Sequence, residues 1–198
     1  MAQGGLLYEW QNQGDFRPAE INLTVACVCT GGIYNNNHVQ RLRWQIKEYL
    51  TIPYRFHCIT ESPWPDWWGK INLFQPGRFA GRVLYLDLDV TVIGSLDDLV
   101  NIDSPFTAIK DYQYPLTINS SVMVWDAGVA DHVYNDFTPE IMERFRGDQN
   151  WIYHKMPYTR RFPREWCVSY KAGKVTKDTR VVVYHGFPKP WDIHESSR

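Results

Sequence analysis

The 198-residue sequence lacks several features that mark large classes of protein. It has no excess of either charge, with 21 Lys and Arg against 22 Asp and Glu, so it offers no basic field for nucleic acid or an anionic membrane. Its longest apolar runs, such as residues 181–184, are far shorter than the ~20 residues of a membrane span. The first residues contain no basic region and only a brief apolar stretch, unlike a signal peptide. These absences predict a soluble, cytoplasmic protein without a transmembrane segment or a nucleic-acid partner.

Cysteine is also scarce, with four residues at positions 27, 29, 58 and 167. Without an export signal, such a small number in a chain of this length does not predict a disulfide framework. Cys27 and Cys29 lie two apart in a strand-like run, so they share one face and are expected to act as small apolar side chains. Because no second pair lies nearby, we expect no zinc site.

The apolar segments that are present predict one α/β domain. Residues 21–30 form a strand-like run, residues 39–50 repeat apolar side chains at helical spacing, and residues 55–60 form a second strand-like run, which together make a parallel βαβ unit. Further strands are predicted at 82–90, 105–112, 120–125, 167–170 and 181–184, and helical stretches at 67–74, 96–100, 129–137 and 139–145. No linker of domain size interrupts this order. We therefore predict a loosely held arm over residues 1–20 and one domain over 21–198, with a mixed, mostly parallel sheet flanked by helices.

Two carboxylates, Asp87 and Asp89, end the strongest predicted strand. Side chains two apart share one face of a strand, and like charges held side by side need a positive partner, for which a divalent metal is well suited. Solvated charges at an exposed strand end are the alternative. The same residues also fit the D-x-D-x-T motif of haloacid-dehalogenase-type phosphatases, in which Asp87 would be the nucleophile. That motif normally opens the fold, whereas here a complete βαβ unit precedes it.

A second polar group follows the last predicted strand. His185 is positioned to add an imidazole ligand to a manganese-like metal. Lys189 lies between two prolines in the sequence H-G-F-P-K-P-W, where its ammonium is suited to a phosphate group. We expect both side chains to be functional.

Four segments resemble metal-dependent nucleotide-sugar glycosyltransferases of the GT-A fold, and most closely glycosyltransferase family 8, the glycogenin and galactosyltransferase-like group. They are Y-L-D-L-D at 85–89, N-S-S-V-M-V-W at 119–125, G-D-Q-N at 147–150 and H-G-F-P-K-P-W at 185–191. The resemblance covers about residues 21–191. The tail has two fewer residues between His and Lys than is usual in the family.

The resemblance implies a role for each matching residue. Asp87, Asp89 and His185 would hold Mn²⁺ or Mg²⁺ against the donor diphosphate, and Asp148 and Gln149 would lie near the reacting face of the transferred sugar. The residues expected to bind the nucleotide sugar are Thr30, Gly31, Tyr34, Lys70, Asp87, Asn119 and Lys189. Tyr34 is expected to stack on the base.

The function predicted from the sequence is therefore transfer of a sugar from a nucleotide-diphosphate donor, with retention of anomeric configuration. We expect the nucleotide to be UDP. The acceptor, whether saccharide, protein or lipid, is not specified. Two other functions stay open: the phosphatase with Asp87 as nucleophile, and a non-catalytic sugar-binding module that uses exposed side chains among its nine Trp residues.

Overall fold

The computed structural model describes residues 21–195, with side chains as far as residue 193, so the arm predicted for residues 1–20 lies outside the described residues. Strands and helices are interspersed along the chain, as expected for an α/β protein. The strands are β1 (Leu23–Val28), β2 (Arg55–Ile59), β3 (Arg82–Leu86), β4 (Val90–Val92), β5 (Phe106–Lys110), β6 (Ile118–Asp126), β7 (Arg160–Arg161), β8 (Cys167–Ser169) and β9 (Val181–Val183). The helices are α1 (Asn36–Tyr49), a 3₁₀ helix (Asp66–Phe74), α2 (Asp97–Val100), α3 (Asp131–Asn135), α4 (Pro139–Arg144), α5 (Asp148–Lys155) and α6 (Pro190–Glu195).

The predicted βαβ unit is confirmed as β1, α1 and β2. β1 is almost wholly buried, which suits an apolar run without alternation. α1 begins where Asn35 accepts a hydrogen bond from the backbone N–H of Asn37, while the His38 side chain accepts one from the backbone N–H of Asn35. This reciprocal capping satisfies N–H groups that have no partner inside the helix. The helix then packs the buried side chains of Leu42 and Ile46 against the sheet.

The main sheet has six strands in the order β2-β1-β3-β6-β5-β7. β1 is parallel to β2 and β3, β5 is parallel to β7, and β6 runs antiparallel to both β3 and β5. The predicted mixed and mostly parallel sheet is thus confirmed. A second sheet of three strands, β4-β9-β8, was not predicted.

The strand predicted over residues 82–90 is in fact two strands. β3 ends at Leu86, the chain turns through residues 87–89, and β4 then pairs with β9 in the second sheet. The backbone N–H of Asp87 donates to the carbonyl of Ser121 on β6, and the N–H of Val90 donates back to the carbonyl of Asp87. Asp87 and Asp89 therefore lie in the turn that joins the two sheets.

Buried side chains cover both faces of the main sheet. Along β3, Leu84 and Leu86 pack with α1 and the second sheet, while Val83 and Tyr85 pack with the 3₁₀ helix and α5 on the opposite face. This alternation is the period of two that a strand imposes. The four cysteines are free thiols, in agreement with the prediction of no disulfide.

Helix α5 was not predicted, and it begins at Asp148, directly after the extended Gly147. The helical stretch predicted over 129–137 is shorter than expected, because α3 covers Asp131–Asn135. Within residues 21–195, no helix combines the length and the apolar character needed to cross a bilayer.

Gly81 holds the start of β3 against β1. It has a positive φ of 71°, and a Cβ at this position would lie 2.4 Å from the backbone oxygen of Asn22, which accepts a hydrogen bond from Arg82. Gly77 has a similar φ of 72° but no atom within 4 Å of the same point. The two glycines therefore share a conformation and differ in crowding.

We predict that Gly77→Ala lowers the free energy of unfolding by about 1–2 kcal/mol, the cost of the left-handed conformation. Gly81→Ala should lose a further 1–3 kcal/mol, roughly, because the methyl group displaces β1 from β3. Urea unfolding followed by circular dichroism measures both. Equal losses would show that Gly81 does not set the approach of these strands.

Candidate active site

A cavity of about 500 Å³ opens at the carboxyl ends of β1 and β3. Ligands of open α/β sheets bind at such ends, where the polar groups that follow the strands converge. Six of the residues predicted to bind the donor line this cavity, namely Thr30, Gly31, Tyr34, Lys70, Asp87 and Lys189. The structure thus brings together residues that are up to 159 positions apart in the sequence, from Thr30 to Lys189.

Asp89 is held by an ammonium group and a hydroxyl group. The Lys189 Nζ atom lies 2.5 Å from the Asp89 Oδ2 atom, and the Tyr34 hydroxyl donates to the same oxygen at 2.9 Å. Burial raises the pKa of the Tyr34 hydroxyl, and the negative charge of Asp89 raises it further, so this donor stays protonated. The side chains of Lys189 and Asp89 are each 9% exposed, which makes this a buried ion pair.

Asp87 belongs to a second cluster, centred on Lys70. The Lys70 Nζ atom lies 2.9 Å from Asp87 Oδ1 and 3.4 Å from Asp148 Oδ2, and it donates to Ser120 Oγ at 3.1 Å. Ser120 in turn donates to Asp148 at 2.6 Å, and the Tyr85 hydroxyl donates to Asp87 at 2.5 Å. Two carboxylates therefore share one ammonium group, and the cluster keeps a net negative charge.

Two opposing effects act on the pKa of the Lys70 ammonium group. Burial lowers this pKa, but the carboxylates of Asp148 and Asp87 outweigh burial and raise it above its ordinary value of 10.5. Lys70 is therefore a fixed positive charge at neutral pH.

An irregularity in β6 places Ser120 in this cluster. Ala108 of β5 pairs with Met123, but the next residue, Ile109, pairs with Asn119. The intervening residues of β6 are released from β5, which is typical of bulges beside active sites. As a result Ser120 faces Lys70 and Asp148, and Ser121 accepts the backbone hydrogen bond from Asp87.

Arg41 positions the turn that carries Asp89. Its guanidinium group donates to the backbone carbonyls of Leu88 and Val90 at 2.6 and 2.8 Å. These two residues flank Asp89, so Arg41 of helix α1 holds the backbone on both sides of this carboxylate. Burial lowers the pKa of Arg41, while the charge of Asp89 opposes this effect.

His185 lies beside Asp89 rather than across the molecule from it. β4 and β9 are antiparallel with Val90 paired to Val183, so the residues before Val90 lie next to those after Val183. The His185 Nε2 atom is 2.7 Å from Ser169 Oγ, and its ring stacks on Tyr112. Burial and the nearby Lys171 lower the pKa of His185, although Asp111 and Asp89 act in the opposite direction.

The two carboxylates and the imidazole match a divalent cation in donor type and in their place on the fold. In this arrangement, however, each carboxylate is paired with a lysine. Among the described residues, no group of three or more His, Cys, Asp and Glu is arranged to hold a metal ion. A cation could bind at Asp89 once Lys189 had released this carboxylate.

The residues predicted to contact the sugar, Asp148, Gln149 and Asn119, lie in different surroundings. Asp148, 6% exposed, lies in the Lys70 cluster, and Gln149 donates from Nε2 to Asp111 Oδ2 at 3.0 Å. Asn119 does not line the cavity, and its Oδ1 atom accepts a hydrogen bond from the backbone N–H of Ser121. Its predicted contact with the donor therefore stays a prediction.

Sequence reasoning missed Asp111. This buried carboxylate accepts hydrogen bonds from the backbone N–H groups of Gln113 and Tyr114, at 2.8 and 2.7 Å, in addition to that from Gln149. It directly follows the apolar strand β5, but the strand predicted over 105–112 contained it, and no second carboxylate lies two positions away as Asp89 does from Asp87. Arg41 carried no signal either, because a basic residue on an amphipathic helix is normally solvated.

No protein-family model and no curated protein matches the chain. Solved structures do. The glycosyltransferase GlyE from Streptococcus pneumoniae TIGR4 superposes with a TM-score of 0.61 at 13% identity, over 87% of this chain and 57% of GlyE. The galactosyltransferase LgtC, in complex with donor and acceptor sugar analogues, gives a TM-score of 0.61 at 15% identity, over 85% of this chain and 89% of LgtC.

A glycosyltransferase involved in glycosylation of the major capsid of PBCV-1 gives a TM-score of 0.53 at 16% identity, over 81% of this chain and 92% of that one. At these identities the likeness defines the fold. The chain has the GT-A fold of glycosyltransferases, as predicted, and it spans 57% of the length of GlyE.

We predict that Lys70→Gln lowers the free energy of unfolding by about 3 kcal/mol, because two carboxylates lose their shared buried partner. The pKa of Lys70 is raised on folding, so this stabilisation is fully present below 10.5, its ordinary pKa, and is lost as the pH rises through the higher pKa of the folded state. Urea unfolding at several pH values measures the difference between the two proteins.

Lys47→Gln is the matched control, since Lys47 is an exposed residue of α1. It should change the free energy of unfolding by less than about 0.5 kcal/mol. Equal effects of the two substitutions would contradict the ion-pair cluster.

Proposed function

We propose that the protein is a glycosyltransferase that takes a nucleotide-diphosphate sugar, UDP-linked, as its donor. The observation that carries this proposal is the 500 Å³ cavity, which is lined by Gly31, Gly32, Lys70 and Lys189 among other residues. Two ammonium groups in the lining suit a diphosphate, and the apolar lining residues suit a nucleoside. The GT-A fold supports the same conclusion independently.

The nucleoside end of the donor has a suitable surface at the mouth of the cavity. Gly31 and Gly32 have positive φ angles of 107° and 70°, and no atom lies within 4 Å of where their Cβ atoms would be. A base can therefore approach the backbone closely. Trp67, 54% exposed, lines the same cavity and offers a flat face for stacking.

Tyr34, which was expected to stack on the base, lines the same cavity, and its stacking stays a prediction. Its hydroxyl donates to Asp89, and its ring makes perpendicular contacts with His38 and Trp191. We propose Trp67 as a further stacking surface and Tyr34 as a group that orients Asp89.

Transfer breaks the bond between the sugar and the diphosphate, and negative charge builds on the departing phosphate oxygen. Lys70, which stays protonated, and Lys189 lie where they can stabilise that charge. Mn²⁺ or Mg²⁺ held by Asp87, Asp89 and His185 would add Lewis-acid stabilisation of the same oxygens. We propose that Asp148 and Gln149 orient the sugar, and the resemblance to family 8 implies retention of configuration.

The two alternative functions are less well supported. In such phosphatases the D-x-D-x-T motif normally opens the fold, whereas β1, α1 and β2 precede Asp87 here. A sugar-binding module without catalysis would not require a chelatable metal or a nucleotide. Both are outcomes of the experiment below.

We expect UDP-sugars and Mn²⁺ together to raise the melting temperature by roughly 5–10 °C at ~100 times the dissociation constant. Asp89→Asn should abolish this joint shift, and Asp103→Asn, an exposed carboxylate outside the cavity, should leave it intact. A thermal-shift screen with and without chelator measures it, with donor hydrolysis as the second readout. Stabilisation by a sugar alone, or phosphate release from simple esters through a phospho-Asp87 intermediate, would favour the alternatives.

Trp67→Ala should weaken UDP binding about tenfold, because stacking on an aromatic ring contributes about 1–3 kcal/mol per base. Trp44→Ala is the control, since Trp44 is 66% exposed on α1 and does not line the cavity. Isothermal titration calorimetry with UDP distinguishes the two variants. If both bind UDP as tightly as the unmodified protein, the base does not stack on Trp67.

A further inference from the structure

A second cavity of about 430 Å³ adjoins the candidate active site. Its walls come from the end of β5 and from residues 162–174. It shares no lining residue with the first cavity. Three of its residues nevertheless contact Gln149 or His185. Asp111 accepts from Gln149, Ser169 contacts His185, and Tyr112 stacks on the ring of His185. A molecule held here would thus lie next to the place where the donor sugar is expected.

The charges of this second cavity are unbalanced. Its cationic side chains are Lys110, Arg164 and Lys174, and within residues 21–193 none of them forms an ion pair or a side-chain hydrogen bond. Its two carboxylates are Asp111, which accepts three hydrogen bonds from neutral N–H groups, and the exposed Glu165, so the lining carries three positive and two negative charges. This net positive charge around a concave surface favours an anionic ligand.

Part of the same wall is apolar. Phe162 is buried and the ring of Tyr112 stacks on His185, so both side chains close the cavity with apolar surface beside the charged groups. Arg164 adds a planar guanidinium group, which forms paired hydrogen bonds with a carboxylate or a phosphate. The combination differs from that of the first cavity, whose lysines are paired with carboxylates.

We propose that this second cavity binds the acceptor, and that the acceptor is a saccharide carrying a carboxylate or phosphate group. This inference rests on the proposed transferase function. In the reaction, an acceptor hydroxyl oxygen forms a bond to the anomeric carbon, and the bond from that carbon to the diphosphate oxygen breaks. The electron pair leaves with the nucleoside diphosphate, which also takes the hydroxyl proton.

The test compares three monosaccharides that differ in charge: glucuronic acid, glucose 6-phosphate and neutral glucose. Their binding to the full chain is measured by saturation-transfer NMR with saturating UDP, which keeps the phosphate probe out of the donor cavity. The variant is Arg164→Gln with Lys174→Gln, both exposed residues. The matched control is Lys47→Gln with Lys177→Gln, which removes two exposed cations outside the cavity.

We expect at least one anionic probe to bind about tenfold or more tightly than glucose, because hydrogen bonds to charged groups are stronger than neutral ones. The Arg164 and Lys174 variant should lose this preference, and the control should keep it. Preference for one anionic probe identifies carboxylate or phosphate as the recognised group. Equal binding of glucose, or an unchanged preference in the variant, overturns the proposal.

Failure of the proposed function gives a different result. In that case UDP does not bind the protein in calorimetry, whatever the probes do. The response of the probes to Arg164→Gln with Lys174→Gln still decides whether the second cavity is an anion site.

Discussion

The neutralisation of two carboxylates in one turn is the constraint on which the site depends. Asp87 and Asp89 lie where the chain passes from the main sheet to the second sheet. Neither side chain is exposed enough for water alone to solvate its charge. Their counter-ions come from distant segments: Lys70 is 17 positions before Asp87, and Lys189 is 100 positions after Asp89. The 3₁₀ helix and the tail are therefore drawn to the same edge of the fold, and these contacts build the cavity.

The proposed diphosphate donor would have to enter this arrangement. Lys70 and Lys189 are already paired with carboxylates, so a phosphate group would meet negative as well as positive charges, and a bound divalent cation would offset the negative ones. The partner of Lys189, Asp89, is also a proposed metal ligand. A bound cation would compete with Lys189 for Asp89, and a bound donor would compete with Asp89 for Lys189. Binding in the first cavity would therefore change the contact that holds Lys189 and the tail, residues 185–191. The proposed acceptor cavity lies next to His185 and Gln149, so an acceptor bound there would lie beside the proposed donor site.

Much of the fold and part of the site could be predicted from the sequence. The βαβ unit followed from the periodicity of residues 21–60, and the D-x-D pair and Lys189 followed from local motifs. The break after Leu86 could not be predicted, since an unbroken apolar run does not encode the turn that Ser121 holds from another strand. Helix α5 was missed because its polar residues Asp148, Gln149 and Asn150 precede only two fully buried apolar side chains, Trp151 and Ile152. The ion pairs themselves join residues far apart in the chain, so only the three-dimensional structure reveals them.

The most direct test of the account is a crystal structure of the protein soaked with UDP and Mn²⁺. We predict UDP in the 500 Å³ cavity with its diphosphate against Lys70 and Lys189. An anomalous manganese peak should lie within coordination distance of Asp89 and His185, with Lys189 moved away from Asp89. UDP bound elsewhere, or manganese bound away from both residues, would contradict the account.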